Sequence, residues 1–205
     1  ISATGVFSDK NVGSGKTVTL TSSALGADAS NYAFTHQTST TADITAKPVT
    51  VTGITASNKE YDGLTSVVVD SSGASGWVIG DDISISSTGI FSDKNVEVAK
   101  TVTLTSSASG ADLGNYTLTH QASTTADITA KPVTVTGITA SNKVYDGLTE
   151  ATVDVSGIDE TGIGILAGDT GTVTISATGD FSDKNVGAGK TVTLTSSTSG
   201  ADASN

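Results

Sequence analysis

The chain has 205 residues, including 23 Gly, 2 Pro and no Cys, and only 4% of its residues are aromatic. With a strong Ser/Thr bias, this composition lacks the material for amphipathic helices, so it predicts β structure without disulfides. Acidic residues outnumber basic ones by 21 to 10 and the formal net charge is −11, which argues against nucleic acid as a partner.

The sequence repeats itself. Residues 39–59 recur letter for letter at 123–143, an offset of 84 residues. A second marker, Phe-Ser-Asp-Lys-Asn-Val, begins at Phe7, Phe91 and Phe181, so the next spacing is 90 residues. Near-identical copies of this kind carry a structural role more often than a chemical one.

The Lys-Pro steps at Lys47 and Lys131 indicate where copies begin. We predict that residues 1–46 are the C-terminal part of one repeat, 47–130 a complete repeat, and 131–205 a third repeat truncated before its last strands. These segments are called the first, second and third copies below. We expect the chain to be a slice of a longer array, with no targeting or membrane-spanning segment inside it.

Apolar and polar residues alternate with period two along the second copy, which is typical of half-buried strands. Clusters of Gly, Asn, Asp and Ser separate these segments at intervals of about ten residues. The expected fold is therefore all-β: tandem immunoglobulin-like antiparallel β-sandwich repeats arranged end to end. In chain order, the pattern predicts strands near Val49, Ile54, Val67, Ile83, Val102, Tyr116 and Ile128.

The segment Asp112-Leu-Gly-Asn-Tyr116, echoed as Asp28-Ala-Ser-Asn-Tyr32, lies between two predicted strands. A tyrosine in this position of an immunoglobulin-like sandwich forms a tyrosine corner, whose hydroxyl bonds back to nearby backbone. We expect the same of Tyr116.

No residue pattern predicts catalysis. His36 and His120 occupy equivalent positions, one to a copy, and are predicted to point with the core face. A single His in each copy offers no partner for a triad or a metal site. We therefore expect no enzyme activity, and no catalytic, cofactor-binding or metal-ligating residues are assigned.

Calcium remains open as a cofactor because several turns carry oxygen ligands. None of these turns matches the twelve-residue calcium loop or the glycine-rich nonapeptide, and each also fits an ordinary capped turn. Intramolecular Lys to Asn or Asp crosslinks are left open in the same way. The acidic turns are Asp9-Lys-Asn11, Gly80-Asp-Asp82, Asp93-Lys-Asn95, Asp112 with Asn115, and Asp183-Lys-Asn185.

Tyr61-Asp-Gly63 and Tyr145-Asp-Gly147 each follow an Ala-Ser-Asn-Lys stretch and a Lys-Pro-Val-Thr-Val strand. With these motifs the chain resembles the YDG or MBG-type repeats of very large bacterial surface and secreted proteins, including adhesins similar to filamentous haemagglutinin. The resemblance extends over the whole chain through the repeat phase. It implies a stalk or fibre repeat on an exported bacterial protein, located at the cell surface or outside the cell.

The expected function is structural: repeated modules give reach and their links set stiffness. The expected partners are neighbouring repeats of the same protein, with lateral or end-to-end self-assembly into a filament also open, and without membrane insertion in this segment. The alternative is a carbohydrate- or surface-ligand-binding module. It would use the loop of variable length around Trp77, the single Trp, which an apolar stretch around Ile165 replaces in the third copy.

Overall fold

The computed structural model describes all residues, Ile1–Asn205, and contains strands but no α-helix, which confirms the all-β prediction. Two single-turn 3-10 helices, Ala29–Asn31 and Leu113–Asn115, are the only helices, and no helix has the length and apolar character needed to cross a membrane. The strands are β1 Ser2–Phe7, β2 Gly13–Ser23, β3 Ser39–Ile44, β4 Lys47–Thr50, β5 Thr55–Ala56, β6 Lys59–Glu60, β7 Ser66–Val67, β8 Val69–Asp70, β9 Ser84–Phe91, β10 Glu97–Ser109, β11 Tyr116–Thr119, β12 Ser123–Thr129, β13 Thr139–Ala140, β14 Glu150–Ala151, β15 Val153–Asp154, β16 Thr174–Phe181 and β17 Val192–Ser199.

The strands form six sheets, and each of the seven predicted strand positions lies in a strand or directly beside one. The largest sheet has the order β6-β12-β10-β9-β7. Two three-stranded sheets have the orders β1-β2-β3 and β14-β16-β17, and the three remaining sheets are the pairs β4 with β11, β5 with β8, and β13 with β15.

Two strand pairs of the second copy are parallel, so the prediction of a purely antiparallel arrangement is wrong for them. β11 pairs with β4 in parallel, with Tyr116 opposite Lys47, and β12 pairs with β6 in parallel, with Ile128 opposite Lys59. Parallel neighbours need a long connection between them, and here most of the copy lies between the paired strands. Period-two alternation sets which face of a strand is buried, but it carries no information on strand direction.

The chain divides into two compact units, and each unit combines residues of two successive copies. The first unit contains Ile1–Thr55, Val69–Thr88 and Leu104–Ala122, and the second contains Ala56–Val68, Gly89–Thr103 and Ser123–Asn205. The predicted copy boundaries at 46/47 and 130/131 therefore lie within units. They remain a prediction about the sequence repeat.

The first unit has a small aliphatic core. Val49, Val51, Ile54, Ile83 and Leu104 are all buried in it. β-Branched residues dominate this set, as is usual where side chains pack on a pleated surface.

The second unit buries two aromatic rings and two charged side chains beside its aliphatic residues. Its apolar core is Tyr61, Phe91, Val102, Ala126, Ile128, Ala151 and Val173. Lys100 and Asp169 are the buried charged residues. Burying a charged group costs free energy unless an opposite charge pairs with it, so Lys100 and Asp169 are expected to have ion-pair partners.

Candidate functional site

The Asp-Lys-Asn loop has the same local structure in each copy. In the second copy, the Asp93 carboxylate accepts the Asn95 backbone N–H at 2.8 Å, and Lys100 Nζ lies 2.6 Å from Asp93 Oδ1 and 3.1 Å from Glu97 Oε2. The loop is therefore an Asx turn whose carboxylate is neutralised by a lysine from the following strand. The equivalent ion pairs are Lys16 with Asp9 and Lys190 with Asp183, and the equivalent backbone bonds are Asn11 to Asp9 and Asn185 to Asp183.

The lysine inside this loop points away from its own copy. In the first unit, Lys10 Nζ lies 2.8 Å from Asp81 Oδ1 and 2.9 Å from Asp112 Oδ1, both in the second copy. One ammonium group thus bridges a Gly-Asp loop and the turn that contains Leu113–Asn115. We call this lysine with its two aspartates the lysine junction.

The second unit contains the same junction one copy further along. Lys94 Nζ lies 2.7 Å from Asp169 Oδ1 and 3.0 Å from Asp202 Oδ1, both in the third copy. Lys94 follows Lys10 by 84 residues, and Asp202 follows Asp112 by 90 residues. The two junctions therefore use equivalent positions of the repeat.

An asparagine completes each junction. Asn115 Oδ1 accepts the Val12 backbone N–H at 2.9 Å, and Asn115 Nδ2 donates to Asn11 Oδ1 at 3.2 Å. These bonds join the end of the 3-10 turn to the Asp-Lys-Asn loop of the preceding copy. In the second unit, Asn205 makes both bonds in the same way, accepting from Val96 N–H at 3.0 Å and donating to Asn95 Oδ1 at 3.3 Å.

Tyrosine hydroxyls bind the second carboxylate oxygen of the Gly-Asp loop. Tyr116 donates to Asp81 Oδ2 at 2.5 Å and accepts the Val78 backbone N–H at 3.1 Å. The expected tyrosine corner is therefore wrong, because this hydroxyl bonds to a loop more than 30 residues upstream and not to nearby backbone. In the second unit, Tyr61 donates to Asp169 Oδ2 at 2.8 Å, and both side chains are buried.

These contacts stabilise the charged forms of the junction groups. Hydrogen bonds that the ammonium group makes to Asp81 and then Asp112 raise the pKa of Lys10, and those that it makes to Asp169 and Tyr61 raise the pKa of Lys94. The pKa of Asp81 is lowered, first by its bond with Lys10 and then by Tyr116. For Asp112 the main cause of a lowered pKa is the Asp82 backbone N–H, followed by Lys10.

The first unit should lose stability in acid. The folded-state pKa values of Asp81 and Asp112 lie below the ordinary value of 3.8, so their contribution is present above that value and is lost as the pH falls through the lowered values. We expect the urea midpoint, followed by Trp77 fluorescence, to be flat from about pH 7 to about pH 5 and to fall below about pH 4. Asp81→Asn should lower the neutral midpoint and reduce the fall in acid. An unchanged acid dependence in this variant would contradict the assignment.

In the structure, the aspartates of the acidic turns contact lysine ammonium groups and backbone N–H groups. Asp81 and Asp112 lie around the Lys10 ammonium, while Asp9, Asp93 and Asp183 pair with lysines of their own copies. Asp82 accepts the Ala111 N–H at 3.0 Å. No group of three or more acidic or His side chains is arranged to hold a metal ion.

Trp77 and the two histidines differ in their exposure. Trp77 is half-buried in the loop between β8 and β9, and the adjacent Val78 and Ile79 are exposed. His120 is half-buried. His36 is exposed and its Nδ1 lies 2.7 Å from the Ser22 hydroxyl, so the prediction that it points with the core face is wrong.

Sequence reasoning found the acidic turns but missed the lysine that joins them. The available signal was the recurrence of three features in phase: Lys in the Phe-Ser-Asp-Lys-Asn motif, Asp after Gly80 and Gly168, and the Asp-x-x-Asn turn. Recurrence shows that these positions matter to every copy. It does not show that the lysine of one copy reaches the aspartates of the next.

The junction residues lie within matches to a known family. The chain matches no curated protein and no solved structure. The YDG domain model matches residues 1–42, 45–126 and 129–205, and these segments contain both lysine junctions. Since the matched segments cover nearly the whole sequence, the chain belongs to the YDG domain family.

Proposed function

We propose that this chain is a stalk or fibre segment of an extracellular bacterial adhesin, in which tandem immunoglobulin-like sandwich repeats follow one another end to end. Its role is to give reach and spacing, without catalysis. The observation that carries the proposal is the lysine junction, which occurs at equivalent positions in both units.

A repeated junction supports this role because it constrains how successive copies meet. In each junction, one ammonium group contacts two carboxylates and one asparagine makes two hydrogen bonds. Together these contacts restrict the relative orientation of the two copies, which a flexible linker would leave unrestricted. Each exposed ion pair contributes little to stability alone. We therefore assign the network a role in fixing the geometry between copies, with only a small contribution to the free energy of unfolding.

The six-residue insertion in the third copy also supports a role in spacing. It lies between Tyr145 and Phe181: Asp169 follows Asp81 by 88 residues and Phe181 follows Phe91 by 90, so four added residues precede Asp169 and two follow it. Despite the added length, Asp169 still meets Lys94 and the Tyr61 hydroxyl. The loop thus varies while the junction keeps its contacts, as expected if the junction is the selected feature.

Lys94→Ala should open the second junction. Without the ammonium, Asp169 and Asp202 lose their shared partner, so the adjacent bond from Val96 N–H to Asn205 should break more often. We expect hydrogen exchange at Val96 to become roughly tenfold faster. The matched control is Lys184→Ala, the equivalent position of the third copy, where no ion pair is present. If both variants, or neither, alter exchange at Val96, the junction does not hold the two copies together.

A stalk should lengthen by a constant amount for each added copy. Inserting one or two further copies of residues 47–130 after Ala130 keeps the repeat in phase. We expect the maximum dimension from small-angle X-ray scattering to rise linearly, by on the order of 40 Å per copy, the length of a 13-residue strand. Flexibly joined copies would instead lengthen roughly as the square root of their number. That result, or no lengthening, would refute the stalk.

Ligand binding at the Trp77 loop is the second candidate. The exposed Val78 and Ile79 beside the half-buried Trp77 are its supporting observation. The hydrogen bond from Val78 N–H to the Tyr116 hydroxyl also holds this loop beside the junction. This bond explains the position of the loop without a ligand. Glycan binding that disappears in Trp77→Ala would favour this candidate over a purely structural role.

A further inference from the structure

The third copy presents the loop surface that the second copy uses in its junction. This surface, formed by Tyr145, Lys184, Asn185 and Val186, is called the open face. It lines a groove of about 660 Å³. Tyr145 is 57% exposed and Val186 is 88% exposed, and Lys184 makes no ion pair.

The equivalent surface of the second copy is covered. Tyr61, the counterpart of Tyr145, is only 4% exposed and its hydroxyl binds Asp169. The neighbouring leucines, Leu64 and Leu148, are both 59% exposed, so the two Tyr-Asp-Gly motifs do not differ in exposure at every position. The open face is therefore a junction surface without its opposing half.

The open face already has the conformation found in a completed junction. The Asp183 carboxylate accepts the Asn185 N–H at 2.7 Å, as Asp93 does for Asn95. Lys143 Nζ donates to the Leu148 carbonyl at 2.9 Å, as Lys59 does to the Leu64 carbonyl at 2.7 Å. Little reorganisation is needed on this side, which lowers the cost of binding.

Charge and hydrogen-bonding groups define the occupant. In the second junction, Lys94 contacts two carboxylates, the Val96 N–H bonds to an amide oxygen, and the Tyr61 hydroxyl bonds to a carboxylate. By analogy, the occupant of the open face should supply two carboxylates to Lys184, one of which also accepts from Tyr145, and an amide oxygen to the Val186 N–H. Within this chain, that set of groups is presented by a Gly-Asp loop together with an Asp-x-x-Asn turn. Both elements belong to one repeat copy, and in the second copy the loop precedes β9 and the turn follows β10.

We propose that the open face binds the Gly-Asp loop and the Asp-x-x-Asn turn of a further YDG copy, with Lys184 bridging the loop aspartate and the turn aspartate of that copy. The inference rests on the proposed function and identifies the partner surface by residue. An unrelated acidic peptide would supply carboxylates, but not the asparagine amide and the second carboxylate at the required separation.

The test extends the intact chain at its C-terminus with a second copy of residues 116–205. Because Asn205 corresponds to Asn115, this addition continues the repeat in phase. We expect hydrogen exchange at Val186 to slow by about tenfold or more in the extended chain relative to the 205-residue chain. Lys184→Ala in the extended chain should restore fast exchange. The same loss is expected when the two junction aspartates of the added segment are replaced by Asn.

Val96 provides the internal reference, since its N–H is bonded in the existing second junction. Slow exchange at Val96 together with unchanged exchange at Val186 would overturn the inference and leave the proposed stalk standing. Fast exchange at both would remove the observation on which the proposed function rests. Slow exchange at Val186 that persists in Lys184→Ala would show that the added segment covers this face without the lysine junction, and would also overturn the inference.

Discussion

Replacing Gly110 by Ala should destabilise the first unit by about 3 kcal/mol or more. Gly110 has φ +129°, and a Cβ there would lie 2.1 Å from the Asp82 carbonyl oxygen and 2.9 Å from Ile83 Cα. Both contacts are with backbone, so a side-chain rotation cannot relieve them. The urea midpoint from Trp77 fluorescence measures the effect, because Trp77 lies in this unit.

The close approach of Gly110 to Asp82 positions the turn that carries Asp112 and Asn115 of the first junction. The Asp112 N–H donates to the Asp82 carbonyl at 3.2 Å, and the Asp82 N–H donates to Asp112 Oδ2 at 2.9 Å. A shift of this segment would move Asp112 and Asn115 away from Lys10. Gly110→Ala should therefore also speed hydrogen exchange at Val12, whose N–H is bonded to Asn115.

Gly26 is the matched control for Gly110. It occupies the same place in the first copy with φ +134°, but nothing lies within 4 Å of its Cβ position. Gly26→Ala should cost only the backbone strain, about 1 kcal/mol. Equal losses in the two variants would show that the positive φ, and not the contact with Asp82, makes glycine necessary.

Tyr61→Ala is expected to destabilise the second unit by about 3–5 kcal/mol, the range for truncating a buried aromatic ring. The change removes the buried ring, its contact with the Lys94 ammonium at 5.6 Å, and the hydrogen bond to Asp169. The buried Asp169 carboxylate would keep Lys94 but lose its hydroxyl donor, which adds a desolvation cost. Hydrogen exchange of the β12 amides under conditions of global opening reports the loss.

Tyr145→Ala should change stability by less than about 0.5 kcal/mol, because the ring is exposed and makes no junction contact in this chain. The two tyrosines occupy equivalent Tyr-Asp-Gly motifs, so their local turns are the same. A large loss in Tyr145→Ala would mean that the motif stabilises its own turn. The effect at Tyr61 could then not be assigned to the contact with the next copy.

The strand positions were predictable because period-two alternation reflects burial directly. Residues 100–104 of β10 alternate buried and exposed, which is the pattern written in Val102 and Leu104 between threonines. Strand direction was not predictable, since the parallel pairing of β4 with β11 joins segments from opposite ends of the copy. Pairing partners at such separations depend on the whole fold and leave no trace in local periodicity.

The candidate site was predictable only in part. Asp9, Asp93 and Asp183 were recognised as turn residues, and the structure shows each capping a backbone N–H. The prediction for Tyr116 was wrong because a short motif cannot distinguish a hydroxyl bonded to nearby backbone from one bonded to Asp81. Both arrangements place an aromatic residue at the start of a strand after a tight turn.

The sequence by itself determined the repeat, its phase, the all-β class and the YDG family, because each of these is written in residue order and composition. Only the tertiary structure decided that Lys10 and Lys94 reach the aspartates of the following copy, and that compact units form across successive copies. The physical reason is that a strand pattern specifies which side chains are buried, whereas an ion pair between copies depends on where two distant loops meet in space.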